Sequence, residues 1–228
     1  MRGQFFTLTA AVLLVFVVTC AFLVASVNQN VYEAELESSE VLQWIYVNVE
    51  RESRAFCERL LANATQLLYE NASAWDLVWN MTRVAEREWA AAIRKTYEAR
   101  AIQAFVELRV INYTVVWGTN PAISGIFARL TIVLSSGTER ISVFETINIT
   151  YTLSVARELF TVVAYLYRYE GDQVEGVDFA NVTFNGEPGT YVGSGRYEYF
   201  PFFGRRVVCE ARTRTRVVLV VNTTLPFF

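Results

Sequence analysis

Residues 105–110 (FVELRV) and 126–132 (IFARLTI) place apolar side chains at every second position. A period of two is typical of a strand with one buried and one exposed face. Similar runs continue towards the C-terminus, with turn signals between them. These signals are Asn120-Pro121, Ser135-Ser136-Gly137, Glu170-Gly171-Asp172 and Asn185-Gly186. The pattern predicts six to eight short antiparallel strands, forming a β-sandwich-like head or a strongly curved sheet.

The region before these strands, residues 31–105, has helical spacing instead. Apolar residues recur there at steps of three and four, and charged residues occupy the other face. In the first predicted helix they are Val41, Ile45, Val49, Phe56, Leu60, Ala64, Leu67 and Leu68. Neither Pro nor Gly occurs between Val27 and Arg100. A helix that begins further upstream could therefore continue through this region without a break.

A second helix is predicted to begin near Asn71, with Ser73 as an N-cap. Its apolar residues follow the same spacing: Val78, Met81, Ala85, Trp89, Ala92, Ile93 and Tyr97. Three tryptophans in this segment, Trp75, Trp79 and Trp89, carry a large apolar area. We expect them to pack the helices against the sheet rather than to form a binding surface.

An apolar segment of 23 residues, Phe5–Val27, precedes the helical region. At about 1.5 Å per residue, such a helix spans the roughly 30 Å hydrocarbon core of a bilayer. Arg2 lies before the segment, and four glutamates follow it: Glu33, Glu35, Glu37 and Glu40. The positive-inside rule then predicts a cytoplasmic N-terminus and an extracellular C-terminal part.

Two other interpretations of this segment compete with a membrane anchor. A secretory signal could be cleaved after Val24-Ala25-Ser26, although the apolar run exceeds the usual 7–15 residues. A lipoprotein site at Cys20 is disfavoured, because the preceding Thr19 is larger than such sites prefer.

The first residues, Met1-Arg2-Gly3-Gln4-Phe5-Phe6-Thr7-Leu8, resemble the class III signal peptide of archaeal type IV pilin-like proteins. The resemblance covers about residues 1–27. It implies that a membrane peptidase cuts between Gly3 and Gln4, and that the apolar segment remains as a helical stalk. Leu8 stands where bacterial pilins carry Glu, as is ordinary for archaeal members. The resemblance also implies assembly with identical or other pilin-like subunits.

Seven N-x-S/T sequons lie beyond the apolar segment, several times the number expected from random placement. They begin at Asn63, Asn71, Asn80, Asn112, Asn148, Asn181 and Asn222. A sequon has meaning only where it meets the glycosylation machinery, outside the cytoplasm. The sequence therefore predicts N-linked glycans on an extracellular, membrane-anchored chain.

Only two cysteines, Cys57 and Cys209, lie outside the apolar segment. An oxidising compartment favours a disulfide between them. The alternative is two separately buried free thiols. A metal site is disfavoured, because two cysteines without histidine offer too few ligands.

Composition narrows the chemistry further. The chain has no histidine, which excludes Ser-His-Asp sites, Cys-His sites and His-ligated metals. The net charge of −3 gives no support to nucleic-acid binding. No glycine-rich nucleotide motif is present. We therefore expect no enzyme, no cofactor and no metal.

Two charged groups are candidates for sites, and we interpret both as solvated surface. Arg212, Arg214 and Arg216 are expected on one face of a long final strand, Arg206–Val221. The acidic residues Asp172, Glu175 and Asp178 flank a loop, but their spacing fits no EF-hand.

The sequence thus predicts an α+β protein of three parts: a leader and transmembrane helix at 1–30, a helical region at 31–105 and a β-rich domain at 106–228. The expected function is a pilin-like, membrane-anchored structural protein that assembles through its apolar helix. Its glycosylated head would mediate surface contact or adhesion. A single-span surface-binding protein that does not polymerise is the alternative, and a secreted enzyme is disfavoured.

Overall fold

The computed structural model describes residues 39–98 and 102–226, in which two helices are followed by eleven strands. Helix α1 covers 39–70 and α2 is Trp75–Glu98. The strands are β1 Gln103–Val116, β2 Ala122–Ser136, β3 Glu139–Glu158, β4 Thr161–Glu170, β5 Gln173–Gly176, β6 Asn181–Phe184, β7 Glu187–Pro188, β8 Thr190–Gly193, β9 Arg196–Tyr199, β10 Arg206–Arg212 and β11 Val218–Thr224. This order confirms the predicted α+β class.

The membrane-spanning part of the prediction falls on other residues. Within the described ranges, neither helix combines the length and the apolar character that crossing a bilayer requires. The apolar segment Phe5–Val27 and the leader residues Gly3 and Gln4 lie outside the described residues.

The strands form two antiparallel sheets that share one core. The larger sheet has seven strands in the order β1-β2-β3-β4-β9-β8, with β5 also paired to β4. The smaller sheet has the order β11-β10-β6-β7. Antiparallel pairing was predicted correctly, but the predicted strand number was too low. The prediction of short strands was also wrong for β1, β2 and β3, which have 14, 15 and 20 residues.

The predicted turn signals lie at strand ends and in the turns between strands, with Ser135 and Ser136 still in β2 and Glu170 still in β4. Asn185 and Gly186 connect β6 to β7, and both have positive φ angles, 52° and 88°. That conformation suits a two-residue hairpin and explains the Asn-Gly pair.

The final strand differs from the prediction. The chain reverses in a tight turn between β10 and β11. The Thr213 N–H donates to the Val217 oxygen at 3.1 Å, and the Thr213 oxygen accepts the Arg216 N–H at 2.9 Å. Arg216 in this turn has a φ of 71°. Arg212 therefore ends one strand, whereas Arg214 and Arg216 lie in the turn. The expected common strand face for the three arginines is wrong.

Helix α1 lies on the larger sheet and runs in the same direction as β3. The Tyr46 hydroxyl bonds Glu145, near the start of β3, and Glu58 accepts a bond from Tyr151, six residues later in the strand, at 3.1 Å. The beginning of the described part of α1 therefore lies towards the β2–β3 turn. Its end, near residue 70, lies towards the β3–β4 turn.

The buried face of α1 follows the predicted spacing, with one change at its beginning. Ile45, Val49 and Leu60 are buried, as predicted. Val41 is exposed, and its neighbour Leu42 is buried instead. Three- and four-residue steps do not distinguish adjacent positions at the edge of an apolar stripe.

Helix α2 packs along β1, the edge strand of the larger sheet. The Glu86 carboxylate accepts a bond from the Val110 backbone N–H at 2.5 Å, which covers part of that edge. The Trp89 ring stacks on Phe56 of α1, with centroids 5.3 Å apart. Trp75 and Trp79 are also partly buried against the core. The predicted packing role of the tryptophans is confirmed.

The start of α2 differs slightly from the prediction. The helix begins at Trp75, and the Asn71 side chain accepts the Ser73 N–H at 3.0 Å. The side chain of Asn71 therefore stabilises the turn before the helix, and Ser73, the expected N-cap, lies within that turn.

The expected disulfide is not formed, and both cysteines are buried free thiols. Cys57 lies on α1, within electrostatic reach of Arg54, Glu86 and Glu170. Cys209 lies in β10, which pairs with β6 on one side and β11 on the other. Counting cysteines predicts the number of partners but not the distance between their Cα atoms, which a disulfide limits to about 7 Å. This corrects the pairing and agrees with the alternative of two separate thiols.

Candidate functional site

Four large apolar side chains project from the end of the domain where β3 turns into β4. Leu159 and Phe160 form that turn, and Phe200 and Phe203 lie in the loop between β9 and β10. Each is between 58% and 75% exposed. We call these four residues the aromatic tip. Because isolated exposed apolar residues are ordinary but clusters are not, the aromatic tip is the candidate contact site.

The two loops of the aromatic tip are fastened together by Arg157, the penultimate residue of β3. Its guanidinium donates to the backbone oxygens of Leu159 at 3.1 Å, Phe202 at 3.3 Å and Gly204 at 3.3 Å. The same group lies over the Phe202 ring, 5.8 Å from its centroid. One planar side chain with several donors thus joins both loops.

Backbone and ring contacts complete the fastening. The Phe202 N–H donates to the Phe160 oxygen at 2.8 Å, and the Phe202 ring is buried. The Phe160 and Phe203 ring centroids lie 6.1 Å apart. Leu225 is buried and donates its N–H to the backbone oxygen of Arg205 at 2.9 Å, which ties the segment after β11 to the same loop. The exposed rings are therefore presented on a fixed support.

Leu159 occupies a conformation that its side chain disfavours. Its φ is 55°, in the left-handed region, where Gly and Asn are the usual residues. Such strain costs about 1–2 kcal/mol for a residue with a Cβ. Leu159 is thus a bulky, exposed apolar residue at a position where the backbone conformation suits glycine better. Strain of this kind concentrates at functional sites.

A second aromatic cluster lies beside a turn of the β5–β6 region. Phe179 is exposed, has a φ of 56° and packs on Tyr191 with centroids 5.0 Å apart. The Arg214 guanidinium lies 4.9 Å from the Phe179 ring centroid. Arg214 therefore caps this ring, and the cluster offers less uncovered apolar surface than the aromatic tip.

A network of charges joins α1 to β3 and β4. Arg54 pairs with Glu50 at 2.7 Å and with Glu170, and Arg168 pairs with Glu58 at 2.7 Å and with Glu170. Burial, together with the nearby Glu58 carboxylate, raises the pKa of Tyr151 to about 12. The network joins the helix to the sheet, and its role is therefore structural.

A groove of about 710 Å³ runs between α2 and β1. It is lined by Trp79, Arg83, Glu86 and Arg109, among others, and burial raises the pKa of Glu86. The charges of both signs alternate along the groove, so that it has no clear preference for a cation or an anion. Asn80, one of the sequons, stands on its rim.

The structure places all seven predicted sequons at exposed positions. They lie on both helices, in the turn between them and on several strands: Asn63, Asn71, Asn80, Asn112, Asn148, Asn181 and Asn222. Exposure is what a glycan acceptor requires. Their occupancy stays a prediction.

The remaining charged candidates do not come together as a site. Glu210 accepts a bond from Arg212 at 2.7 Å, and Asp178 accepts one from the Gly195 N–H at 3.2 Å. Among residues 39–98 and 102–226, no group of three potential ligands could hold a metal ion.

Comparisons with protein-family models, with curated proteins and with solved structures find no match to this chain.

The aromatic tip was not predicted from the sequence, although a signal for it was present. Turns usually carry Gly, Asn, Asp or Ser, whereas Leu159-Phe160 and the Phe200-Pro201-Phe202-Phe203 segment place apolar residues between strands. Apolar residues at a turn are a mismatch between local preference and structure, which is typical of functional positions.

Proposed function

We propose that this chain is a pilin-like, membrane-anchored extracellular structural protein, whose head makes its contacts through the aromatic tip. The anchor is the apolar segment Phe5–Val27, retained as a helical stalk after cleavage between Gly3 and Gln4. The chain assembles with other subunits through this stalk, and its exposed sequons carry glycans. Its role is assembly and contact rather than catalysis.

The observation that carries the proposal is the position of the aromatic tip. The described part of α1 begins near the β2–β3 turn, and the tip lies beyond the other end of β3. Between Glu145, which meets Tyr46, and Leu159 the strand spans roughly 45 Å. A chain anchored ahead of α1 presents the aromatic tip away from the anchor, where a contact surface is useful.

The apolar stalk supplies the energy for assembly in this proposal. Each buried large apolar side chain is worth about 1.5–3 kcal/mol relative to exposure in water. Phe5–Val27 consists mostly of such residues, so packed stalks would resist dissociation outside the membrane. The alternative, a single-span binding protein, uses the same aromatic tip but leaves the stalk in the bilayer.

N-terminal sequencing and intact-mass measurement of the protein from its native envelope test the proposal. A mature chain that begins at Gln4 and sediments as filaments is expected. A chain that begins at Met1 and extracts as single subunits favours the non-polymerising alternative. A chain that begins near Val27 would overturn the anchor, because the apolar segment would then be a removed secretory signal.

A further inference from the structure

We propose that the aromatic tip of one subunit docks onto the exposed apolar face at the beginning of α1 in a second copy of this chain. That face consists of Val41, Trp44 and Val47, which we call the proximal patch. This inference names the partner of the aromatic tip, and so rests on the proposed function. It concerns a contact between heads, separate from the packing of the apolar stalks.

The proximal patch is a cluster of exposed apolar residues at the opposite end of the fold from the aromatic tip. Its three side chains are between 47% and 59% exposed, although Leu42 and Ile45 between them are fully buried in the core. Trp44 is the largest of the three. Tryptophan is common at the centre of protein contacts, because it buries a large area and loses little rotamer freedom.

The charges around the two clusters are complementary. Residues 199–206, which carry two of the tip residues, include Arg205 and Arg206 and no acidic residue. Arg157 adds a third positive charge at the tip. The neighbouring carboxylates Glu158 and Glu198 both pair with Arg196, at 2.8 Å and 2.6 Å, so basic residues still outnumber acidic ones there. At the other end, Glu40 precedes the proximal patch and exposed Arg51 follows it, one turn after Val47. The sequence just before the patch contains three further glutamates and no basic residue, so acidic residues outnumber basic ones there. Opposite charges at the two ends favour tip-to-patch over tip-to-tip contact.

The positions of the two clusters decide what kind of assembly results. They lie at opposite ends of the direction shared by α1 and β3, roughly 45 Å apart by strand length, so one subunit cannot join its own two clusters. Contact between two different surfaces is head-to-tail, and such contacts extend into filaments or rings rather than stopping at a dimer. Each contact is small, so packed stalks that displace successive subunits along a filament supply the high local concentration that makes it effective.

Paired cysteine substitutions in the full-length protein test this contact. The variant Phe203→Cys with Gln43→Cys, in which the exposed Gln43 lies beside Trp44 and Trp44 itself is kept, is treated with a short bismaleimide crosslinker in the native envelope and in detergent. Cys20→Ala is included in every variant, and Cys57 and Cys209 are buried. The pair is expected to give a ladder of dimers, trimers and larger species. A mixture of the two single variants is expected to stop at the dimer, because each subunit then carries one reactive end.

A matched control moves the tip cysteine to another exposed apolar position. Val174 of β5 is 56% exposed and lies outside both clusters. The pair Val174→Cys with Gln43→Cys is expected to give at least tenfold less crosslinked product. Adding Phe200→Glu to the tip pair is expected to reduce the ladder to a similar extent, because it places a charge in the apolar contact and is repelled by the glutamates beside the proximal patch.

Three results would overturn the inference. Equal yield from the Val174 control would mean that crosslinking reports only crowding. A Phe203→Cys single variant that dimerises efficiently would show tip-to-tip contact. A third result uses a fluorophore attached to the thiol of the Phe203→Cys variant. If vesicles of brominated phosphatidylglycerol quench this fluorophore and no ladder forms, the tip contacts a lipid surface instead.

Sequencing the N-terminus of the same samples separates this inference from the proposed function. A ladder formed by chains that begin at Met1 would retain the head-to-tail contact and reject prepilin-type processing. Chains that begin at Gln4 and form filaments without a ladder would retain the stalk assembly and reject the contact.

Discussion

Arg157 determines the geometry of the aromatic tip although it is not one of the exposed apolar residues. The substitution Arg157→Met removes three hydrogen bonds to backbone oxygens, which must then accept hydrogen bonds from water instead. Since a hydrogen bond from a charged donor contributes about 1.5–3 kcal/mol, we expect a loss of stability of about 2 kcal/mol. Chemical denaturation measures the loss. Arg140→Met on β3 is the control, and an equal loss there would contradict a special role for Arg157.

Leu159 offers a prediction in which stability and contact change in opposite directions. Leu159→Gly relieves the left-handed strain and should raise the free energy of unfolding by about 0.5–1 kcal/mol. It also removes an exposed apolar side chain, so crosslinking between tip and proximal patch should fall. Phe160→Ser should also reduce crosslinking, but it relieves no backbone strain and should not raise the free energy of unfolding. A stability loss in Leu159→Gly would mean that the leucine packs usefully in its own subunit.

At the scale of the elements, the interface of α1 with the sheet predicts a pH dependence. Burial, as the largest cause, raises the pKa of the Cys57 thiol to about 12, from an ordinary value of 9.0. Above pH 9 the unfolded chain therefore loses a proton that the folded chain retains, and stability declines as the pH rises towards 12. Burial acts on the pKa values of Tyr113 and Tyr151 in the same direction, from 10.0 upwards. Thermal unfolding between pH 8 and 11 should show the decline, with a shallower slope for Cys57→Ala.

The charge network gives a second prediction at this interface. Arg168→Met leaves Glu58 and Glu170, whose side chains are 17% and 15% exposed, without one of their partners. Removing one member of a largely buried ion pair costs about 3–5 kcal/mol, and we expect the lower end because solvent reaches the pair. Restoring stability with the double variant Glu58→Gln, Arg168→Met would support this cause. A double variant no more stable than Arg168→Met would contradict it.

How far the elements could be predicted depends on how local their signals are. Alternation identified the region of β1 and β2, and Asn185-Gly186 located a hairpin, because each signal lies within a few residues. The turn between β10 and β11 was missed, since Thr213, Arg214 and Arg216 are not typical turn residues and continue the pattern of a strand. The cysteine pairing and the aromatic tip depend on distances between elements, which local patterns do not contain.

At the scale of the whole molecule, charge is distributed unevenly although the net charge is only −3. The tip end carries Arg157, Arg205 and Arg206, and the proximal end follows a run of glutamates. Attraction between exposed charges is screened within about 10 Å at 0.1 M salt and about 3 Å at 1 M. Crosslinking of the tip pair should therefore fall several-fold between these salt concentrations. Stalk-mediated assembly is apolar and should persist, so filaments that stay intact while the ladder weakens would identify two separate contacts. A ladder insensitive to salt would mean that the apolar side chains alone hold the heads together.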